Sequence, residues 1–89
     1  MVYDKEFQKR INTIDGMIKT MCVDWRCNMI SKDAIFWMIS TKTQEYGIAI
    51  NLYSYDKEIS VHYFEDNDAS IQTTSIREVV DYILKYIDK

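Results

Sequence analysis

The hydrophobic residues change period twice along the chain, and this restricts the fold more than any other feature. Phe7, Ile11, Ile14, Ile18, Met21 and Trp25 are spaced 4, 3, 4, 3 and 4, which places them on one face of an α-helix. Met17 and Cys22 widen that stripe. The spacing predicts a helix from about residue 4 to about residue 23–27, with Asp4 as its N-cap. Glu6–Arg10 and Asp15–Lys19 sit four apart, as favourable pairs on such a helix do. Gly16 falls nearly opposite the stripe and costs about 1 kcal/mol against alanine.

The period then drops to two. Residues 34–41 are apolar on both faces, as a strand at least partly covered on both sides requires. Residues 46–54 alternate Tyr46, Ile48, Ile50 and Leu52 against Gly47, Ala49, Asn51 and Tyr53. Residues 59–65 alternate Ile59, Val61 and Tyr63 against Ser60, His62 and Phe64. Short polar connectors join the three, as in an antiparallel meander. Residues 65–68 read as a turn, and Ile71 could open a short further strand. Helical spacing returns in Ile76, Val79, Val80, Ile83 and Ile87, behind the capping box Ser75-Ile76-Arg77-Glu78. Asp81–Lys85 adds another pair to a helix over 76–88. The expected fold is a single α+β domain over residues 1–89. Its order is α-β-β-β-α, a three-stranded antiparallel sheet with an N-terminal and a C-terminal helix.

The connectors set a trial register. Thr41 opposite Tyr46 pairs Ile39 with Ile48, Trp37 with Ile50 and Phe36 with Asn51. Tyr55 opposite Glu58 pairs Leu52 with Val61, Ile50 with Tyr63 and Asn51 with His62. The β-branched residues then share one face, on which both helices can lie. The other face collects Phe36, Met38, Tyr53, His62 and Phe64 around the small Ala49 and Asn51. A crossing helix or a strand at Ile71 could cover it. Otherwise it is offered to a partner, to a second copy or to a small molecule, as contiguous exposed apolar patches commonly are.

The charge is uneven. The chain carries −3, with 47% apolar residues, which excludes a disordered tail. Residues 1–32 hold six basic and four acidic groups, and residues 33–89 hold five and ten. Within 43–75, Glu45, Asp56, Glu58, Glu65, Asp66 and Asp68 face only Lys57. Such a region steers a basic partner and repels phosphate.

Little in the sequence points to catalysis or metal binding. Cys22 and Cys27 are five apart, and only His62 and scattered carboxylates could complete a zinc site. They are expected as free, partly buried thiols in a reducing compartment. His62 has no Ser, Cys or carboxylate within predictable reach, so no triad is expected. Residues 66–71 lack the glycine of a calcium loop, and two glycines make no phosphate loop. No catalytic residue, metal or cofactor is therefore expected. No apolar run approaches about 18 residues and no charged-then-apolar leader opens the chain, so a cytoplasmic protein without membrane contact is expected.

The element order α-β-β-β-α resembles that of the double-stranded-RNA-binding domain. That family grips phosphates with a lysine-rich start to its last helix. Here that position, Thr74-Ser75-Ile76-Arg77-Glu78, holds one basic residue, so direct nucleic-acid binding is not expected. Size, element order and the acidic residues Glu45, Asp56, Glu58, Glu65, Asp66 and Asp68 also resemble small acidic inhibitor proteins of phages and mobile elements, anti-CRISPR proteins among them. Some of these occupy a nucleic-acid groove with carboxylates in place of phosphates. The resemblance implies a non-enzymatic module that binds and inhibits a host protein, such as a basic nucleic-acid-binding protein. The alternatives are a homodimeric structural or adaptor protein and a nucleic-acid binder.

Overall fold

A computed structural model describes residues 5–88, apart from the side chain of Asn67. The order is α1 (Lys5–Thr20), β1 (Trp25–Ser31), β2 (Ala34–Ile39), β3 (Ile48–Tyr53), β4 (Ile59–Tyr63), β5 (Asp66–Thr73) and α2 (Ile76–Tyr86). The class is α+β as expected, but the antiparallel sheet has five strands, in the order β1-β2-β3-β4-β5. The three-stranded expectation is corrected at both edges. The expected cap at Asp4 lies outside the described residues.

The first correction comes from the end of α1. Met21 donates its N–H to the Ile18 carbonyl, and Cys22 then takes a φ of 56°. A left-handed residue just past the last turn is a common helix stop, usually filled by glycine. With cysteine there, the composition shows no break. The chain reverses into β1, and Trp25 turns from the last residue of the expected helix stripe into the first residue of an alternating strand. The second correction comes from residues 65–68. The turn itself is Phe64-Glu65, and β5 already begins at Asp66, opposite Tyr63.

The β2–β3 register is the expected one, with Ile39 opposite Ile48, Trp37 opposite Ile50 and Phe36 opposite Asn51. Across β3–β4 the pairs are Ile48–Tyr63, Ala49–His62, Ile50–Val61 and Asn51–Ser60. That is a two-residue slip from the trial pairing. The connector is longer than a tight hairpin: Asp56 N–H donates to the Tyr53 carbonyl, and Glu58 N–H to Asp56 Oδ1. An even slip leaves every side chain on its expected face.

Both helices pack on the same face. Phe7, Ile11, Ile14 and Ile18 of α1 and Val79, Tyr82, Ile83 and Tyr86 of α2 are buried against Ile35, Trp37, Ile39, Ile48, Ile50, Leu52, Ile59, Val61 and Tyr63. Trp25, Cys27, Ala69 and Ile71 extend this layer from the two added strands. The tie between α1 and the sheet is polar as well: Trp37 Nε1 donates to Asp15 Oδ1 at 2.6 Å. Arg10 donates to the carbonyls of Tyr53 and Lys57 and so pins the β3–β4 connector to α1. At α2, Ser75 Oγ accepts from Glu78 N–H as the capping box requires, while the Ser75 N–H donates to Thr73 Oγ1. Among the described residues no helix is long and apolar enough to cross a membrane.

Candidate functional site

With α1 and α2 on one side, neither helix covers the other face of the sheet. Its residues follow from strand parity. The register sets Arg26 beside Met38, Met38 beside Ala49 and Ala49 beside His62. The next row runs Asn28, Phe36, Asn51, Ser60 and Gln72. Small residues at 49 and 51 sit between larger ones, so the surface dips. Ile30, Phe36, Met38, Ala49, Asn51, His62 and Phe64 line a shallow depression of about 310 Å³. Ile30 is 66% and Phe64 48% exposed, whereas Ala49, the floor, is buried by its neighbours. Apolar groups of this size in water are unfavourable, and covering them is the driving force for any docking.

Four of the five aromatic-face residues expected from the sequence, Phe36, Met38, His62 and Phe64, meet in this depression. Tyr53 does not. It lies on the same face at the far end of β3 and stacks on Tyr55, with ring centroids 5.4 Å apart. Ile30 is missing from the expected face because the helix stripe takes in only the start of β1 and leaves residues 28–33 in no element, although alternation from Trp25 onward points to it.

His62 has a neighbour that the sequence reading did not reach. Its Nδ1 lies 2.8 Å from Ser70 Oγ, across the added strand β5. The bond orients the imidazole on the sheet. A nucleophile–base relay also needs a group that holds the other ring nitrogen, and among the described residues no carboxylate is seen to do so. The pair is therefore read as part of the surface.

The six acidic residues divide between the two ends of the sheet. Asp56 and Glu58 belong to the β3–β4 connector, beside the start of α1, where Arg10 binds that connector. Glu45 lies in the β2–β3 loop, and Glu65, Asp66 and Asp68 follow β4, at the opposite end. Several act locally. Asp66 Oδ1 accepts from Asp68 N–H at 3.1 Å, much as Asp56 Oδ1 accepts from Glu58 N–H at 2.9 Å. Glu65 Oε2 accepts from the Tyr63 hydroxyl at 2.7 Å, and that bond, with burial, pushes the Tyr63 pKa up. The depression thus has Glu65, Asp66 and Asp68 near its β4–β5 side and Arg26 near its β1 side.

Behind β4, Tyr63 stacks on Tyr86 at 4.5 Å and Tyr86 packs on Tyr82 at 4.8 Å. Burial, then Tyr86, pushes the Tyr82 pKa up to about 12. The Tyr63 backbone lies beside that hydroxyl and pulls the other way, without reaching hydrogen-bond geometry. Cys27 is half-buried and Cys22 exposed, both as free thiols; burial, then the Asp15 charge, raises the Cys27 pKa. Among the described residues no three His, Cys, Asp or Glu side chains are grouped to hold a metal ion.

With five strands, the element order differs from that of the double-stranded-RNA-binding domain, and the likeness to small inhibitors rests on size and acidic residues alone. No protein-family model matches the chain, and no match emerges among curated proteins or solved structures.

Proposed function

We propose that this chain is a small acidic protein-binding module that docks through the bare face of its sheet. The reading extends to an inhibitor of a host protein, with a basic, nucleic-acid-binding protein as the favoured target. One observation carries it: both helices lie on the same side, leaving Ile30, Phe36, Met38, His62 and Phe64 around a concave apolar surface. Aromatics and methionine in such a depression are the residue types that supply desolvated anchors at interfaces. Glu65, Asp66 and Asp68 beside it add a long-range field that favours a cationic partner.

The two contributions separate experimentally. Capture from cells of the native host identifies the partner, with a Phe36→Asp/Met38→Asp double variant as the control for the apolar surface. The double variant is expected to lose binding. A partner retained equally by that variant would sink the proposal. Reversing Glu65, Asp66 and Asp68 to Lys is expected to slow association by about tenfold or more at low salt, with a smaller effect on dissociation. An on-rate indifferent to the reversal removes the basic-partner part of the reading and leaves the apolar part standing. Tight, salt-sensitive binding of RNA or DNA alone would replace both.

A further inference from the structure

The bare face is a trough with β3 as its floor. Ala49 and Asn51 lie along the bottom, Phe36 and Met38 rise from β2, and His62 rises from β4 with Phe64 just past its end. Strands β2 and β4 stand two spacings apart, about 9.6 Å, close to the diameter of an α-helix with its side chains, about 10–12 Å. The floor strand has six residues, about 20 Å of length, which matches roughly 13 residues of helix. That floor offers no main-chain partner, because β3 lies in mid-sheet and is paired on both sides from Ile48 to Asn51. An extended peptide draws its affinity from main-chain bonds at a sheet edge, whereas a helix satisfies its own backbone and docks by an apolar stripe. A small molecule would stay largely in water in so shallow a depression, and ligand pockets bury most of their occupant.

Charges of opposite sign flank the trough, one strand further out on each side. Arg26 of β1, in the row of Met38, holds its guanidinium over the Tyr46 ring, 5.5 Å from the centroid. On β5, Ala69 packs inward against the core, so its neighbours Asp68 and Ser70 turn to the bare side, where the Ser70 hydroxyl meets His62.

We infer that the partner presents to this trough an amphipathic α-helix of about three to four turns, laid along β3 with a basic flank over Asp68 and an acidic flank toward Arg26. This occupant rests on the docking role proposed above and gives it a form. The apolar stripe of the helix covers Phe36, Met38 and Phe64, and the small side chains of Ala49 and Asn51 let it approach the sheet closely. Glu65 and Asp66 precede Asp68 and add to the negative field on that side, so the basic flank carries more weight than the acidic one. The covered face of the same sheet already packs two helices. A second copy of the chain has no such helix to offer. Its α1 and α2 turn their apolar stripes inward, and among the described residues Leu84 is the only large apolar side chain exposed on either.

The probe is a display library of random peptides of about 16 residues, long enough for the trough, selected on the immobilised full chain. Enriched peptides are expected to carry apolar residues at i, i+3 or i+4, and i+7, with Lys or Arg gathered on one flank. A synthetic copy is expected to gain helical circular dichroism on binding, and a proline in mid-stripe is expected to weaken it about a hundredfold. Asp68 is exposed, so Asp68→Lys leaves the core alone. It is expected to weaken the same peptide about tenfold at low salt, and a peptide with its basic flank changed to Glu is expected to recover binding to that variant. No enrichment overturns the proposal, as does an Asp68→Lys variant that binds the peptide as well as the native chain. Peptides of strictly alternating pattern that lose binding to Phe36→Asp/Met38→Asp overturn the helix and leave the docking face standing. Peptides of any pattern that bind this double variant equally well overturn both.

Discussion

Phe36 and Trp37 are neighbours in β2, and they show how differently the two faces of one sheet are used. Trp37 is wholly buried under the helices, and its indole N–H is held by Asp15 of α1. Phe36, one residue earlier, lies half-buried beside a depression that neither helix covers. The side chains are similar in size and hydrophobicity, so the difference is one of location. On the covered face, apolar area has been removed from water within the chain and stabilises the fold. On the bare face much of that gain is still unrealised, and a partner could supply it. The groups whose ionisation burial holds back most, Cys27 and Tyr82, both lie on the covered side.

The comparison can be broken most directly at this pair. Trp37→Ala is expected to cost about 3–5 kcal/mol, the range for losing a large aromatic from a packed core. Phe36→Ala, beginning half-exposed, is expected to cost less than about 1.5 kcal/mol. Urea unfolding followed by far-UV circular dichroism measures both. Equal costs would mean that Phe36 is as covered as Trp37, and that the bare face is bare in name only.

Strand parity explains why the faces were legible in the sequence when the number of strands was not. Assigning Ile48 and Ile50 to one side and Ala49 and Asn51 to the other needs only the period of two, and even a two-residue slip in register left that assignment intact. Hence Phe36, Met38, His62 and Phe64 were found together. Edge strands carry a weaker signal, because much of an edge strand faces solvent. In β1 only Trp25, Cys27 and Met29 face the helices, and Trp25 also continues the spacing of α1. No proline or glycine separates the two elements, and the residue that does so is Cys22, through a backbone conformation that composition does not show. In β5 the inward-facing apolar residues include Ala69 and Ile71, while Asp66 and Asp68 read as a turn. Losing β1 and β5 also meant losing Ile30 and Ser70 from the site. The acidic residues illustrate another limit. Closeness to a connector does not say at which end of a sheet that connector lies, so one cluster in sequence became two in space.

A smaller effect sharpens the covered side. Among the described residues the Tyr82 hydroxyl is buried without a hydrogen-bond partner, and such a group costs about 1–3 kcal/mol compared with having none. Tyr82→Phe is therefore expected to be neutral or stabilising by up to about 1 kcal/mol at pH 7. Its alkaline behaviour gives a second readout. Tyr82 is neutral in both states below its unfolded pKa of about 10, and folding raises that pKa to about 12. The unfolded chain thus loses its proton first. The contribution of the neutral group is fully present below pH 10 and disappears as the pH rises through 12. Tyr82→Phe is expected to flatten the fall in stability across that window, as measured by urea midpoints at a series of pH values. An unchanged slope would mean that water reaches this hydroxyl and that the covered face is less dry than Trp37 indicates.

The smallest effect is expected away from both faces, on the outer side of α1, and serves as the control for the other substitutions. Gly16 is exposed in mid-helix, and a Cβ built there meets nothing within 4 Å. No close approach requires glycine at this position. Gly16→Ala adds no packing to either face of the sheet and reduces the backbone freedom that the unfolded chain surrenders on folding. It is expected to stabilise the protein by about 0.5–1 kcal/mol, with no change in the denaturant slope, because the exposed area is almost unaltered. Partner binding through the bare face should be untouched. If Gly16→Ala destabilised the protein or weakened association, the outer side of α1 would be in contact with something, and the surface available for docking would extend beyond the sheet.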